Sequence, residues 1–335
     1  MSAELRVGVV GVGAMGADHV RTLSEAVPST RVTEVFDRDT DRAKQVAELA
    51  GGRVAESAEG LVHSADVDAV VVASPDSTHA ALVLACLAAG KPVLCEKPLA
   101  VTADDALRVV EAEVAGGRRL VQVGFMRRYD PGYARLKRTL RAGLLGEPRM
   151  VHNVHRNAAS GPGSTGASIV TGSMIHELDT VPWLLDDRIV GIRVTSPVAD
   201  GLPDPQLAVI EMASGILATV EVFVNAAYGY DVRCEVVGTA GTASLAPAVP
   251  VSLRSAGTDG VEVSSDFVAH FADAYRVELL AWSRAALAGG AEGPSAWDGY
   301  LANVVAEAGV AALHSGERHA VSPVDRPSLY DEGVR

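Results

Sequence analysis

Hydrophobic positions along this chain change their period part-way. Residues 5–10, Leu-Arg-Val-Gly-Val-Val, form a short apolar run rich in valine, and residues 68–73, 92–95 and 120–124 have the same texture. Continuous apolar runs of that length read as strands buried on both faces of a parallel sheet. Between them the period lengthens, so residues 14–23, 39–50 and 56–63 read as helices. A further helix carries Ala80, Leu84, Leu87 and Ala88 behind a cap at Asp76 or Ser77. The alternation of strand and helix ends near Gly146-Glu147-Pro148. Beyond it the pattern predicts a strand over 152–157 and a loop rich in glycine and serine over 158–166. A helix follows over 173–185, with Ile175, Leu178, Val181, Leu184 and Leu185 as its apolar stripe. Strand-like runs over 189–197, 206–212, 216–225, 231–238 and 242–245 come next, separated by short turns, which is the signature of a mainly antiparallel sheet. Helices over 270–288 and 297–314 close the chain. The expected class is α/β in two parts: a doubly wound parallel sheet over residues 1–124, then an α+β domain on a large open, mainly antiparallel sheet over 125–335. The closing helices could pack back on the first part.

The first strand runs into Gly11-Val12-Gly13-Ala14-Met15-Gly16, a Gly-x-Gly-x-x-Gly turn that opens a helix. Strand, glycine turn and helix in that order are the dinucleotide-binding fingerprint of a Rossmann domain. Gly11 permits the tight turn, Gly13 lets the backbone approach a pyrophosphate, and Gly16 lets the helix lie close to the strand. The uncapped N–H groups at Ala14 and Met15 and the helix dipole then face the phosphates. A second strand, over 31–36, ends in Asp37, close to the ~20-residue spacing expected of the acid that binds a ribose 2′-hydroxyl. Asp37 favours NAD, and the adjacent Arg38 leaves NADP possible by offering a 2′-phosphate a cation.

Composition narrows the partners. At 335 residues the chain is long enough for two cores, and hydrophobic residues make up 48% of it. Its formal net charge is −13 with no Lys/Arg block, so nucleic acid is not an expected partner. Cys86, Cys95 and Cys234 lie in apolar segments without metal-ligand spacing, which suits free, buried thiols in a reducing compartment and no metal site. The chain enters a strand almost at once, and no apolar run approaches the ~20 residues of a membrane span. A soluble cytoplasmic protein is the expectation.

Ligands of an open α/β sheet bind at the carboxyl ends of its strands. The turn Ser74-Pro75-Asp76-Ser77-Thr78-His79 follows one such end, so Ser74, Pro75, Ser77 and His79 are candidates to line the cofactor cleft; a capped turn with no ligand is the competing reading. Residues 92–95 run into Glu96-Lys97-Pro98, which places Glu96 and Lys97 at another strand end, where burial could tune a lysine for chemistry. A surface lysine beside a turn proline would look the same. Arg127 and Arg128, beside Met126 and Tyr129, could orient an oxygen-rich ligand or pair with nearby acids. In the second part, His176 leaves its helix near the start, with Asp179 and Thr180 on the same face. Histidine suits general acid–base work near neutral pH. A metalloprotease reading fails, since the second histidine of that motif would fall at Thr180. His152 and His155 are three apart on a strand, hence on opposite faces and poor joint metal ligands.

These motifs together resemble the Gfo/Idh/MocA oxidoreductases: Cys95-Glu96-Lys97-Pro98-Leu99, Gly124-Phe125-Met126-Arg127-Arg128-Tyr129-Asp130, and Ile175-His176-Glu177-Leu178-Asp179. The runs Phe223-Val224-Asn225, Tyr228-Gly229-Tyr230-Asp231 and Cys234-Glu235-Val236-Val237-Gly238 resemble the family's inositol 2-dehydrogenases in particular. The resemblance implies NAD-dependent oxidation of a ring hydroxyl of myo-inositol to the 2-ketone, in a homotetramer built through the open sheet of the second domain. It implies that Lys97 hydrogen-bonds the reacting oxygen and His176 takes its proton. It also implies that Met126, Arg127, His155, Asn157, Asp179 and Tyr230 line the substrate, and that the Lys97–Pro98 peptide is cis. One position departs from the pattern: where such enzymes carry an aspartate four residues before the histidine, this chain has Gly172. Compensation by Asp179 or a displaced side chain, another inositol or pyranose substrate, and a catalytically impaired cofactor-binding relative all remain open. Retention of both Lys97 and His176 argues against the last.

Overall fold

The computed structural model describes residues 4–198, 200–246 and 252–331. The chain divides into two compact units, one of Met1–Met126, Asp273–Asn303 and Val324–Arg335, the other of Arg127–Ala272 and Val304–Pro323. The first is built on strands β1 (Leu5–Val10), β2 (Thr30–Phe36), β3 (Arg53–Val54), β4 (Ala69–Val72), β5 (Val93–Glu96) and β6 (Val121–Gly124). They lie in the order β3-β2-β1-β4-β5-β6, and every neighbouring pair is parallel. Every residue of β4, β5 and β6 is buried, which is why these segments read as unbroken apolar runs rather than alternating ones. On one face Val9, Val71 and Leu94 join Val20 and Leu23 of the helix Ala14–Glu25 and Leu279 and Trp282 of the helix Ala272–Leu287 in one core. The strand order reverses between β1 and β4, and in such sheets that switch point is where a ligand lies.

The second unit carries β7 (Pro148–Arg156), β8 (Ile189–Thr195), β9 (Gln206–Met212), β10 (Leu217–Phe223), β11 (Asp231–Gly238) and β12 (Thr242–Ser244). A separate hairpin of β13 (Ser252–Ser255) and β14 (Thr258–Val261) follows, and β15 (His319–Ala320) adds the last edge. The large sheet runs β12-β11-β7-β10-β9-β8-β15, antiparallel throughout except between β7 and β10. Burial alternates along β9 and β10, so one face is core and the other is more open, the period-two texture of the sequence.

The helix expected over 173–185 is two structures in series. Residues Ile169–Met174 wind as a π-helical segment, and an α-helix, Ile175–Leu185, continues from it until Asp186 at φ 50° ends it. From Ile175 to Val181 every residue is buried. β7 begins four residues ahead of the expected strand, and the helices Ala103–Gly116 and Pro131–Arg141 add to the elements expected. The Lys97–Pro98 peptide is cis. Among the described residues no helix is long and apolar enough to cross a membrane.

Candidate active site

The glycine turn after β1 is shaped by close backbone approach. Gly11 has φ +83°, and a Cβ on it would lie 2.4 Å from the backbone nitrogen of Ser74, in the turn after β4. A Cβ on Gly16 would sit 1.8 Å from the carbonyl oxygen of Gly11, so the helix can begin this near the turn only with glycine there. Gly13 is the N-cap of the helix Ala14–Glu25, no side chain caps that helix, and the atom nearest a Cβ on Gly13 is an Arg42 guanidinium nitrogen 4.0 Å off. A narrow turn, an uncapped helix start and open space over Gly13 fit the diphosphate of a dinucleotide. Asp37, one residue past β2, accepts the Val12 N–H at 2.8 Å and the Asp39 N–H at 2.9 Å, which fixes its carboxylate at the rim of the turn. Arg38 beside it is exposed.

At the other candidate strand ends, Ser74 is half-buried and bonds Thr78 through its hydroxyl at 2.6 Å, while Pro75 and Ser77 are exposed. His79 is buried, its Nδ1 2.7 Å from the Pro98 carbonyl oxygen and its Nε2 2.8 Å from that of Ser74. Glu96, the last residue of β5, is buried and meets His19 Nε2 at 2.8 Å, directly before the half-buried Lys97. Met126 is buried at the end of this unit.

In the second unit, the helix Ile175–Leu185 presents its first turn as a charged cluster. Glu177 is 1% exposed and pairs with the guanidinium of Arg127, also 1% exposed, and with His155 Nδ1 at 3.3 Å. Burial by itself would raise the Glu177 carboxyl, but the charges of Arg127 and His155 and their hydrogen bonds outweigh it and hold it at about 2. Arg127 also points Nη2 at His155 Nδ1, 3.2 Å away. Both charges thus meet His155 at one ring atom, Nδ1, which donates to Glu177 or accepts from Arg127 according to its tautomer. The His155 ring meets the His176 ring at 5.9 Å between centroids and the Tyr230 ring edge-on at 5.9 Å. Burial pushes the Tyr230 phenol up to about 12, so it remains a hydroxyl. Asp179 holds Arg128, with Nε 3.0 Å from Oδ2. Asn157 is half-buried just past β7, its N–H donated to the Phe223 carbonyl at 2.9 Å. Gly172 lies in the π-helical segment, one turn before His176, and nothing lies within 4 Å of where its Cβ would be.

The structure thus gathers Arg127, His155, His176 and Tyr230 into one cluster, and both arginines of the Arg127-Arg128 run pair with acids of the helix Ile175–Leu185. Sequence reasoning passed over Glu177, which anchors that cluster. Its signal was an acidic residue beside His176 at a position the apolar stripe could have claimed. His19 was also passed over, because a histidine on the fingerprint helix carries no spacing that marks it. Among the described residues no group of three or more His, Cys, Asp or Glu could hold a metal ion.

Residues 5–125 match the oxidoreductase family with an NAD-binding Rossmann fold, and residues 133–244 match the GFO/IDH/MocA C-terminal domain. The chain belongs to the Gfo/Idh/MocA oxidoreductase family. Among its relatives, inositol 2-dehydrogenase 1 of Saccharopolyspora erythraea is 54% identical over 97% of this chain and 99% of that protein. Inositol 2-dehydrogenase of Serratia proteamaculans is 46% identical over 98% and 99%. Among solved structures, myo-inositol dehydrogenase of Lactobacillus casei, in complex with NAD(H) and myo-inositol, is 34% identical. It superposes with a TM-score of 0.94 over 98% of this chain and 100% of that one. As a Gfo/Idh/MocA member the protein is an oxidoreductase that uses NAD.

Proposed function

We propose that this enzyme oxidises a ring hydroxyl of a cyclic polyol, myo-inositol to its 2-ketone, with His176 as general base and Lys97 as hydrogen-bond donor to the reacting oxygen. The observation that carries the reading is the cluster around His176. The His176 imidazole lies near a helix start with its ring 5.9 Å from that of His155, which in turn meets a buried ion pair, in a chain whose relatives are named inositol 2-dehydrogenases. Bound NAD supplies the hydride acceptor. As the electron pair of the ring C–H bond leaves with its hydrogen, His176 removes the hydroxyl proton and the carbon becomes a ketone. Lys97 stabilises the negative charge that develops on oxygen during this step. His155, Asn157 and Tyr230, with Met126 and Asp179, shape the ring site, and the Arg127–Glu177 pair holds His155 in place at Nδ1. We further propose a cytoplasmic homotetramer assembled through the open sheet, with the domain boundary near residue 124.

Gly172 favours a second reading. The open space at its Cβ position suits a differently substituted ring, another inositol or a pyranose. A screen of inositols and aldoses with NAD and with NADP, followed by reduced-cofactor absorbance, separates the two. NAD should be preferred, with Asp37 accepting the ribose hydroxyls. Lys97→Ala and His176→Ala should each lower kcat by roughly 10²–10⁴ while thermal stability and NAD affinity persist. Near-normal turnover in either variant rejects its assigned role.

A further inference from the structure

Lys97 is flanked by two residues, and each is held by a buried histidine. Ahead of it, Glu96 turns its carboxylate inward. His19, fully buried on the helix Ala14–Glu25, reaches Oε1 with Nε2 at 2.8 Å, and Oε2 accepts the Lys97 main-chain N–H at 3.3 Å. β6 ends beside it in Gly124, where a Cβ would come within 3.2 Å of that same Oε2. Behind Lys97, the His79 ring bridges the Pro98 and Ser74 carbonyls at 2.7 and 2.8 Å. Burial would raise the Glu96 carboxyl, yet the His19 hydrogen bond and the charges of His19, Lys97 and His79 bring it below the usual carboxylate range.

We infer that His19 and His79 are positioning residues for Lys97, the first acting through the Glu96 carboxylate and the second through the Pro98 carbonyl. The two bonds hold both neighbours of Lys97, so the start of its side chain is fixed before any substrate arrives. Small displacements of a catalytic group are costly, on the order of 10²-fold for about 1 Å. The inference rests on the proposed role of Lys97 in the chemical step, and its test includes a measurement that needs no substrate.

That measurement is competitive acetylation of Lys97 in the cofactor-free protein, read by peptide mass spectrometry against the exposed Lys44. His19→Phe and His79→Phe should change the Lys97 labelling rate by about threefold or more, leave Lys44 unchanged, and lower kcat about tenfold or more with NADH affinity within about threefold of wild type. His19→Gln and His79→Gln, which keep N–H donors, should recover most of both effects. They also carry the test if the phenylalanine variants fail to fold. His19→Phe combined with Glu96→Gln should cost no more than Glu96→Gln alone, because the two act in series. Unchanged Lys97 labelling, additive losses in the double variant, or activity losses that merely track a falling Tm overturn the inference. A wild-type enzyme inactive on every inositol, with Lys97 labelling still shifted by the variants, would overturn the substrate reading and leave the positioning role standing.

Discussion

The two units build their candidate functional surfaces by opposite means. In the first, the candidate cofactor end is made by what is missing: glycines at 11 and 16 let backbone approach backbone, and no side chain caps the helix that begins at Ala14. In the second, the cluster near His176 is made by what is present: a buried guanidinium and a buried carboxylate meet the His155 imidazole, whose ring lies 5.9 Å from that of His176. A backbone-built site fails by overcrowding, and a site built on ion pairs fails by losing a charge. The two therefore respond to different substitutions and to different pH.

The largest effect is expected at Glu177. Glu177→Leu leaves Arg127 as a buried cation without that partner, which typically costs about 3–5 kcal/mol, and Tm and chemical denaturation should show it. The variant should also lose turnover, because His155 loses the carboxylate that meets its Nδ1. The same pair sets an acid limit. The Glu177 carboxyl is lowered to about 2 in the folded protein, against an unfolded value of about 4.3. Its stabilisation is therefore complete above about pH 4.3 and is lost as pH falls from there toward about 2. A pH series of unfolding free energies should show that slope in wild type and not in Glu177→Leu. A variant as stable as wild type would mean that the pair does not hold the cluster.

A smaller effect, confined to the other unit, is expected of Gly16→Ala. The new Cβ cannot stay 1.8 Å from the Gly11 carbonyl, so the turn must open. Overpacking of this kind costs roughly 1–3 kcal/mol, and NADH fluorescence titration should show weakened binding. No change in the acid slope should accompany it, since the Glu177 pair is untouched. Normal NADH affinity would show that the turn has room the glycines do not need.

The smallest effect tests whether the second unit lacks a charge. Gly172→Asp places a carboxylate one turn before His176, where the Cβ meets no atom within 4 Å and the change should fold normally. If the enzyme is an inositol oxidiser limited by that position, kcat/KM for myo-inositol should rise about tenfold, a charge-assisted bond being worth roughly 1.5 kcal/mol or more. A fall on myo-inositol with a retained preference for another ring would support the reading in which the glycine makes room.

Much of this was legible from residue order. Unbroken valine-rich runs mark strands buried on both faces, and β4 and β5 are buried at every position. The Gly11-x-Gly13-x-x-Gly16 spacing marks the tight turn and the helix that opens from it, and alternation along residues 206–212 and 217–223 marks the half-open sheet. Some signals were present and passed over. The helix Ala103–Gly116 opens on Thr102, whose side chain accepts the Asp105 N–H, and closes on Gly117 at φ +66°, a complete pair of start and stop residues. The hairpin of β13 and β14 has no comparable mark in its alternation.

Local rules act within a few residues, so the chain by itself determined its two textures, its glycine turn and the strand ends that carry Asp37 and Lys97. Tertiary structure decided the rest, because pairings across tens of positions depend on how elements meet. Arg127 finds Glu177 fifty residues on, and His19 finds Glu96 seventy-seven residues on. No periodicity announces either bond. Each exists because packing removes both groups from water, where an unpaired charge would be too costly to keep.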